Sequence, residues 1–93
     1  MRTIKYTAQF KRDYKREKRT QHKELDKKLM LAIESLATDA QLPESLRDHC
    51  LSGSWKDHRD CHIRPNLVLI YRKPDADTLE LVRLGSHSEL SLG

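Results

Sequence analysis

Four of the five histidines, His49, His58, His62 and His87, fall in the second half of the 93-residue chain. An imidazole titrates near neutrality, so a group of them offers both a proton acceptor and a proton donor at pH 7. Cleavage of RNA without a metal needs such a pair. A base takes the proton of the ribose 2′-OH that attacks the adjacent phosphate, an acid protonates the departing 5′-oxygen, and a cation holds the charge developing at phosphorus. Arg83, which precedes His87 across Gly85, supplies a cation, and Asp60 shares a strand face with His62, where a carboxylate orients an imidazole. Lys56, Arg59 and Arg64 are suited to phosphate. Taken singly, each of these is an ordinary surface residue; what argues for a site is the gathering of titratable groups. His22, at the start of a helical stretch, reads as exposed surface.

A metal centre is the competing use of such residues. His49-Cys50 and Cys61-His62 resemble two ligand pairs, but neighbouring side chains on a strand point to opposite faces, so each pair offers one ligand. No C-x₂-C or H-x₃-H spacing occurs. We therefore expect no metal and no cofactor, and small, partly buried packing roles for Cys50 and Cys61.

These residues meet only if the elements carrying them converge. Arg2-Thr3-Ile4-Lys5-Tyr6 alternates like a short strand, and Thr7 is placed to cap a helix from about Ala8 to Arg19 with Phe10 and Tyr14 on one face. After a break near Thr20-Gln21, Leu25, Leu29, Ala32, Ile33 and Leu36 follow helical spacing within a second helix, His22 to Asp39, giving an antiparallel hairpin. Pro43 closes it, and residues Leu42 to Ser54 read as an ordered connection. The period then changes to two. Trp55 to Ile63 is expected as a strand, Pro65-Asn66 as a turn, Leu67 to Tyr71 as a strand buried on both faces, and Pro74 to Asp77 as a second turn. Thr78 to Leu84 alternates, with Leu79, Leu81 and Arg83 expected on one side and Glu80, Val82 and Leu84 on the other. The expected fold is a single α+β domain over residues 1–93, its N-terminal strand and helix hairpin packed on a small, mostly antiparallel sheet. His49, His62 and His87 lie at element ends, which converge on one rim in a small meander.

Composition limits the partners. Apolar residues make up 37% and aromatic residues 5%, so the core is lean and mostly leucine. No run approaches a membrane span, and the N-terminus lacks a signal-like apolar stretch, so a cytoplasmic protein is expected. Through Lys28 the chain carries eleven Lys or Arg against four Asp or Glu, and the rest carries seven against ten, which concentrates the net +4 in the helical end. Lys11, Arg12, Lys15 and Arg16 form a basic helix face of the kind that attracts a polyanion or an acidic protein.

Three stretches carry a family resemblance: Asp48-His49-Cys50-Leu51-Ser52-Gly53-Ser54-Trp55-Lys56, Arg59-Asp60-Cys61-His62, and Arg83-Leu84-Gly85-Ser86-His87. With the order of elements, they resemble the YafQ branch of the RelE/ParE toxin superfamily, over essentially the whole chain. The resemblance implies a bacterial toxin of a type II toxin–antitoxin pair, an mRNA endonuclease acting in the ribosomal A site by 2′-OH attack to leave a 2′,3′-cyclic phosphate. It implies catalytic roles for His49, Asp60, His62, Arg83 and His87, with His87 a principal acid or base and Arg83 stabilising the phosphorane. It implies as partners a DinJ-like cognate antitoxin, the ribosome and mRNA, with no membrane, and a toxin monomeric when free and heteromeric with its antitoxin.

The sequence departs from the family pattern twice. Asn66 stands after Arg64-Pro65 where the family has an aspartate; it hydrogen-bonds RNA but accepts no proton. Leu92 stands where the family has a phenylalanine, which removes a stacking face. Two other readings stay open: a non-catalytic ParE-like inhibitor of DNA gyrase, and a basic RNA-binding module.

Overall fold

The computed structural model describes residues 1–20 and 23–90. Gln21, His22 and Leu92 lie outside the described residues, and with them the expected break at Gln21, the surface role of His22 and the departure at Leu92.

Strand β1 is Thr3–Tyr6, helix α1 Ala8–Thr20 and helix α2 Lys23–Ala37; strands β2 (His49–Cys50), β3 (Arg59–Arg64), β4 (Leu67–Arg72) and β5 (Thr78–Gly85) follow. Thr7 caps α1 as expected: its hydroxyl accepts the Phe10 N–H at 3.0 Å and donates to the Val82 carbonyl at 2.7 Å. On α2, Leu25, Leu29, Ala32, Ile33 and Leu36 are all buried, the face their spacing predicted. Asp26 of α2 accepts from the Tyr14 hydroxyl and pairs with Lys18 at 3.2 Å, so the end of α1 meets the start of α2 in an antiparallel hairpin.

Helix α2 ends at Ala37 rather than Asp39. Asp39 takes the left-handed conformation (φ 59°), its N–H bonds to the Leu36 carbonyl at 3.3 Å, and Ala40 N–H to the Ser35 carbonyl at 2.9 Å. These are the two bonds of a Schellman cap, with aspartate in the usual glycine position. The Asp39 carboxylate then pairs with Arg2 and Lys73.

The sheet order is β1-β5-β4-β3-β2, with β1 parallel to β5 and every other pair antiparallel. The helices cover one face through Phe10, Leu25, Leu29, Ile33, Cys61, Leu69, Leu79, Leu81 and Leu84. Val68, Ile70 and Leu90 form a second cluster with Leu51, Trp55 and Val82 packed on it. Strand β4 is buried on both sides because its alternate residues enter these two clusters.

Three expectations are corrected. Strand β3 starts at Arg59, not Trp55, because Gly53 (φ 65°) and Asp57 (φ 70°) turn the chain back on itself; Trp55 closes a short 3-10 turn, Gly53–Trp55. The connection from Leu42 to Ser54 contains β2, a two-residue strand too short to show a period. Leu84 lies with Leu79 and Leu81, and Arg83 on the opposite face with Ile70, the reverse of the expected sides, since the β4–β5 register slips between Ile70↔Arg83 and Tyr71↔Leu81 and leaves Val82 as a bulge.

Helix α1 also finishes the edge of β5. Beyond Tyr6, where β1 stops, Thr7 bonds the Val82 carbonyl, the Asp13 carboxylate accepts the Leu84 N–H at 3.0 Å, and Arg16 donates to the Leu84 carbonyl at 3.0 Å. Side chains thus replace a missing strand partner, which explains a buried aspartate on a basic helix.

Candidate active site

Sheet register assembles the site. Across antiparallel strands, residues in register share a face, and His49, Asp60, Ile70 and Arg83 follow one another in register across β2, β3, β4 and β5. The next row holds His62, Val68 and Gly85. Both rows lie on the face away from the helices, the face that carries Val68 and Ile70.

His62 occupies the centre. Its ring centroid is 5.0 Å from that of His87 and 6.4 Å from that of His49, both edge to face. Asp60 lies beside them, 1% exposed, with Oδ1 2.9 Å from His49 Nδ1. That approach is not aligned as a hydrogen bond, for His49 Nδ1 is also 2.8 Å from the Arg47 carbonyl. Among the described residues, Asp60 Oδ1 and His62 Nε2 are buried polar atoms without a hydrogen-bond partner. Burial raises the Asp60 carboxyl above the ordinary range, against the pull of His49, His62 and His87. Burial lowers the His62 imidazole, against the pull of Asp60, and the charges of His87, Arg47 and His49 lower it further. His62 is thus a neutral imidazole at pH 7, in the form that accepts a proton.

His87 is set by a capping box, Ser86-x-x-Glu89, whose signal in the sequence is the serine three residues before a glutamate. Ser86 N–H donates to Glu89 Oε1 at 2.9 Å and Glu89 N–H to Ser86 Oγ at 3.2 Å. Gly85 permits this turn to pass close to α1, since a Cβ there would meet Arg16 Nη2 at 3.1 Å and Glu89 Oε1 at 3.2 Å. Trp55 donates to the Leu90 carbonyl at 3.1 Å and anchors the far side of the turn.

The structure brings together His49, Asp60, His62 and His87. Arg83 stands in the same row, but its guanidinium is turned to Asp13, with Nε 2.6 Å from Oδ2. Arg59 is held by Asp48, which also accepts from the Tyr71 hydroxyl. Arg64 and Arg47 border a cleft beside His62, while Lys56 and Asn66 are exposed. Arg16 is engaged by Asp13, Glu17 and Glu89. Lys11, Arg12 and Lys15 line a separate groove between α1 and α2, on the helix side. His58 stacks edge-on against Trp55, away from the other histidines.

The cysteines divide. Cys61 is wholly buried on the helix face, which pushes its thiol up to about 12 and keeps it protonated at pH 7. Cys50 is exposed rather than partly buried, because β2 is the sheet edge. Among the described residues, no three His, Cys, Asp or Glu side chains are disposed to hold a metal ion.

Fold and histidine group together define a RelE-like α+β protein with acid–base side chains on the open face of its sheet. The chain belongs to the YafQ family: residues 2–92 match the family of bacterial toxins of type II toxin–antitoxin systems, YafQ. It is 36% identical over 89 residues to the mRNA interferase toxin YafQ of Escherichia coli K12, covering 96% of this chain and 95% of that one. It superposes on YafQ in the crystal structure of the E. coli DinJ-YafQ complex with a TM-score of 0.84, at 33% identity, covering 97% and 98% of the two chains. A copper-bound mutant toxin from Helicobacter pylori superposes with a TM-score of 0.90 at 37% identity, covering 97% and 99%.

Proposed function

We propose that this chain is a ribosome-dependent mRNA endonuclease, the toxin of a type II pair, made of one domain over residues 1–93 and held in check in the cytoplasm by a cognate antitoxin. The observation that carries the reading is the group of three imidazoles with one of them, His62, kept neutral beside a buried carboxylate. Support also comes from the names of its relatives, an mRNA interferase toxin and a complex with DinJ.

His62 accepts the proton of a ribose 2′-OH as that oxygen attacks the adjacent phosphorus. The P–O5′ bond breaks, and His87 in its protonated form delivers a proton to the leaving 5′-oxygen, which leaves a 2′,3′-cyclic phosphate and a 5′-hydroxyl. Asp60 stabilises positive charge on the central imidazole, and His49 contributes to phosphate binding. Arg83 stabilises the pentavalent phosphorus once phosphate competes with Asp13 for its guanidinium.

Primer extension on a message translated with the wild type and with His87→Ala tests this. Cuts at defined codon positions with the wild type, lost in a folded His87→Ala protein, are expected. An intact message with impaired DNA supercoiling would replace this reading with gyrase inhibition.

A further inference from the structure

We infer that the cleft between α2 and the outer edge of β3 seats the RNA nucleotide next to the scissile bond, an assignment that rests on the nuclease reading. Strand β2 pairs only with Arg59 and Asp60, so no strand among the described residues covers the β3 edge from Cys61 to Arg64. The 3-10 turn Glu44–Leu46 and helix α2 stand on either side of that edge and leave a cleft of about 720 Å³.

Its lining matches a nucleotide in three respects. Lys28, Arg47 and Arg64 border it and, among the described residues, no carboxylate does, so the field inside is positive. The nearest acid to Arg64 is Glu24, 3.8 Å from its guanidinium and itself exposed. Leu31, 59% exposed, and the half-buried Leu46 give an apolar wall. Among the described residues Arg64 Nε and His62 Nε2 are buried atoms without a hydrogen-bond partner, and both residues line the cleft. A phosphate suits the first feature and a base the second, and the third leaves Arg64 and His62 with unused polar atoms to turn toward that phosphate.

Continuity decides between RNA and an acidic peptide. His62 belongs both to the histidine group and to the cleft wall, so a strand with one phosphate at the imidazoles is delivered into the cleft by its own backbone.

The test uses the full chain and 2′-O-methyl RNA, which binds without being cut. Fluorescence anisotropy compares a dinucleotide with a tetranucleotide on the wild type and on Lys28→Glu, Leu31→Asp and Lys27→Glu, the last an equal charge change outside the cleft. Lys28→Glu and Leu31→Asp should weaken the tetranucleotide about tenfold and the dinucleotide less than about twofold, while Lys27→Glu affects both alike. Amide resonances of Leu31 and Leu46 should shift with the tetranucleotide. Equal losses in all three variants, or no shift at Leu31 and Leu46, would overturn the assignment, and a shift there with an acidic peptide but not with RNA would hand the cleft to a protein partner. Message cleavage is scored separately: tetranucleotide binding in the cleft by a protein that cuts no message sinks the nuclease and keeps the RNA site. Normal cutting with unchanged tetranucleotide binding in Lys28→Glu does the reverse.

Discussion

At His62 burial and the Asp60 carboxylate pull in opposite directions, and their balance has a measurable sign. His62 as base must be deprotonated, so activity falls on the acid side through its pKa, which burial places below the ordinary histidine value. In Asp60→Asn the carboxylate no longer favours the imidazolium, and the acid limb of the cleavage–pH profile should move to lower pH. In Arg47→Ala a cation is removed and the limb should move up. A profile that stays fixed in both variants would exclude His62 as the titrating base. Stability should follow a different course. Because the Asp60 carboxyl is raised in the folded protein, its ionised form costs stability above the ordinary Asp range, and protonation relieves that cost. Asp60→Asn should therefore stabilise the fold at pH 7 by about 1 kcal/mol while lowering activity. The gain should vanish in melts run below about pH 4. His87→Ala should cost about 10³-fold in cleavage with little change in melting temperature.

At the scale of elements, the site depends on two devices that hold the end of β5. The Ser86–Glu89 capping box fixes the turn bearing His87, and Ser86→Ala should cost about 1 kcal/mol of stability. The same variant should lower kcat more than it raises KM, because it displaces an acid rather than a binding group. Asp13 is the second device. Asp13→Ala strands the Leu84 N–H and frees Arg83, and should destabilise by about 3 kcal/mol in urea melts, whereas Asp13→Asn keeps one acceptor and loses less. Both devices bear on how much was legible beforehand. The helices, β4 and β5 were written in their periods, and the Thr7 cap in its residue type. The capping box at Ser86 was equally visible, though it lies beyond the last periodic segment. Strand β2 and the bulge at Val82 were not visible, since a two-residue strand has no period and a bulge is set by the partner strand. The convergence of His49, Asp60, His62 and His87 followed from the family motifs and from element ends. The capture of Arg83 by Asp13 did not, because it depends on α1 replacing β1 at the sheet edge.

For the molecule as a whole, charge is divided between two surfaces. Lys11, Arg12 and Lys15 lie along the helix groove, which shares no lining residue with the cleft lined by Lys28, Arg47 and Arg64. Reversing Lys11, Arg12 and Lys15 together should weaken ribosome binding and flatten its salt dependence in sedimentation assays, with kcat on bound ribosomes preserved. Loss of kcat instead would place those residues in the reacting complex. The parallel β1–β5 pairing, Thr3 with Thr78 through Tyr6 with Leu81, has a consequence for synthesis. The first strand made finds its partner only in the last, so a nascent chain must close its longest loop before the sheet is complete. Residues 49 to 87 of the histidine group are likewise gathered late. A growing chain therefore holds no assembled proton-transfer group until β5 and the turn after it have emerged, and the delay between synthesis and activity is built into the order of the strands.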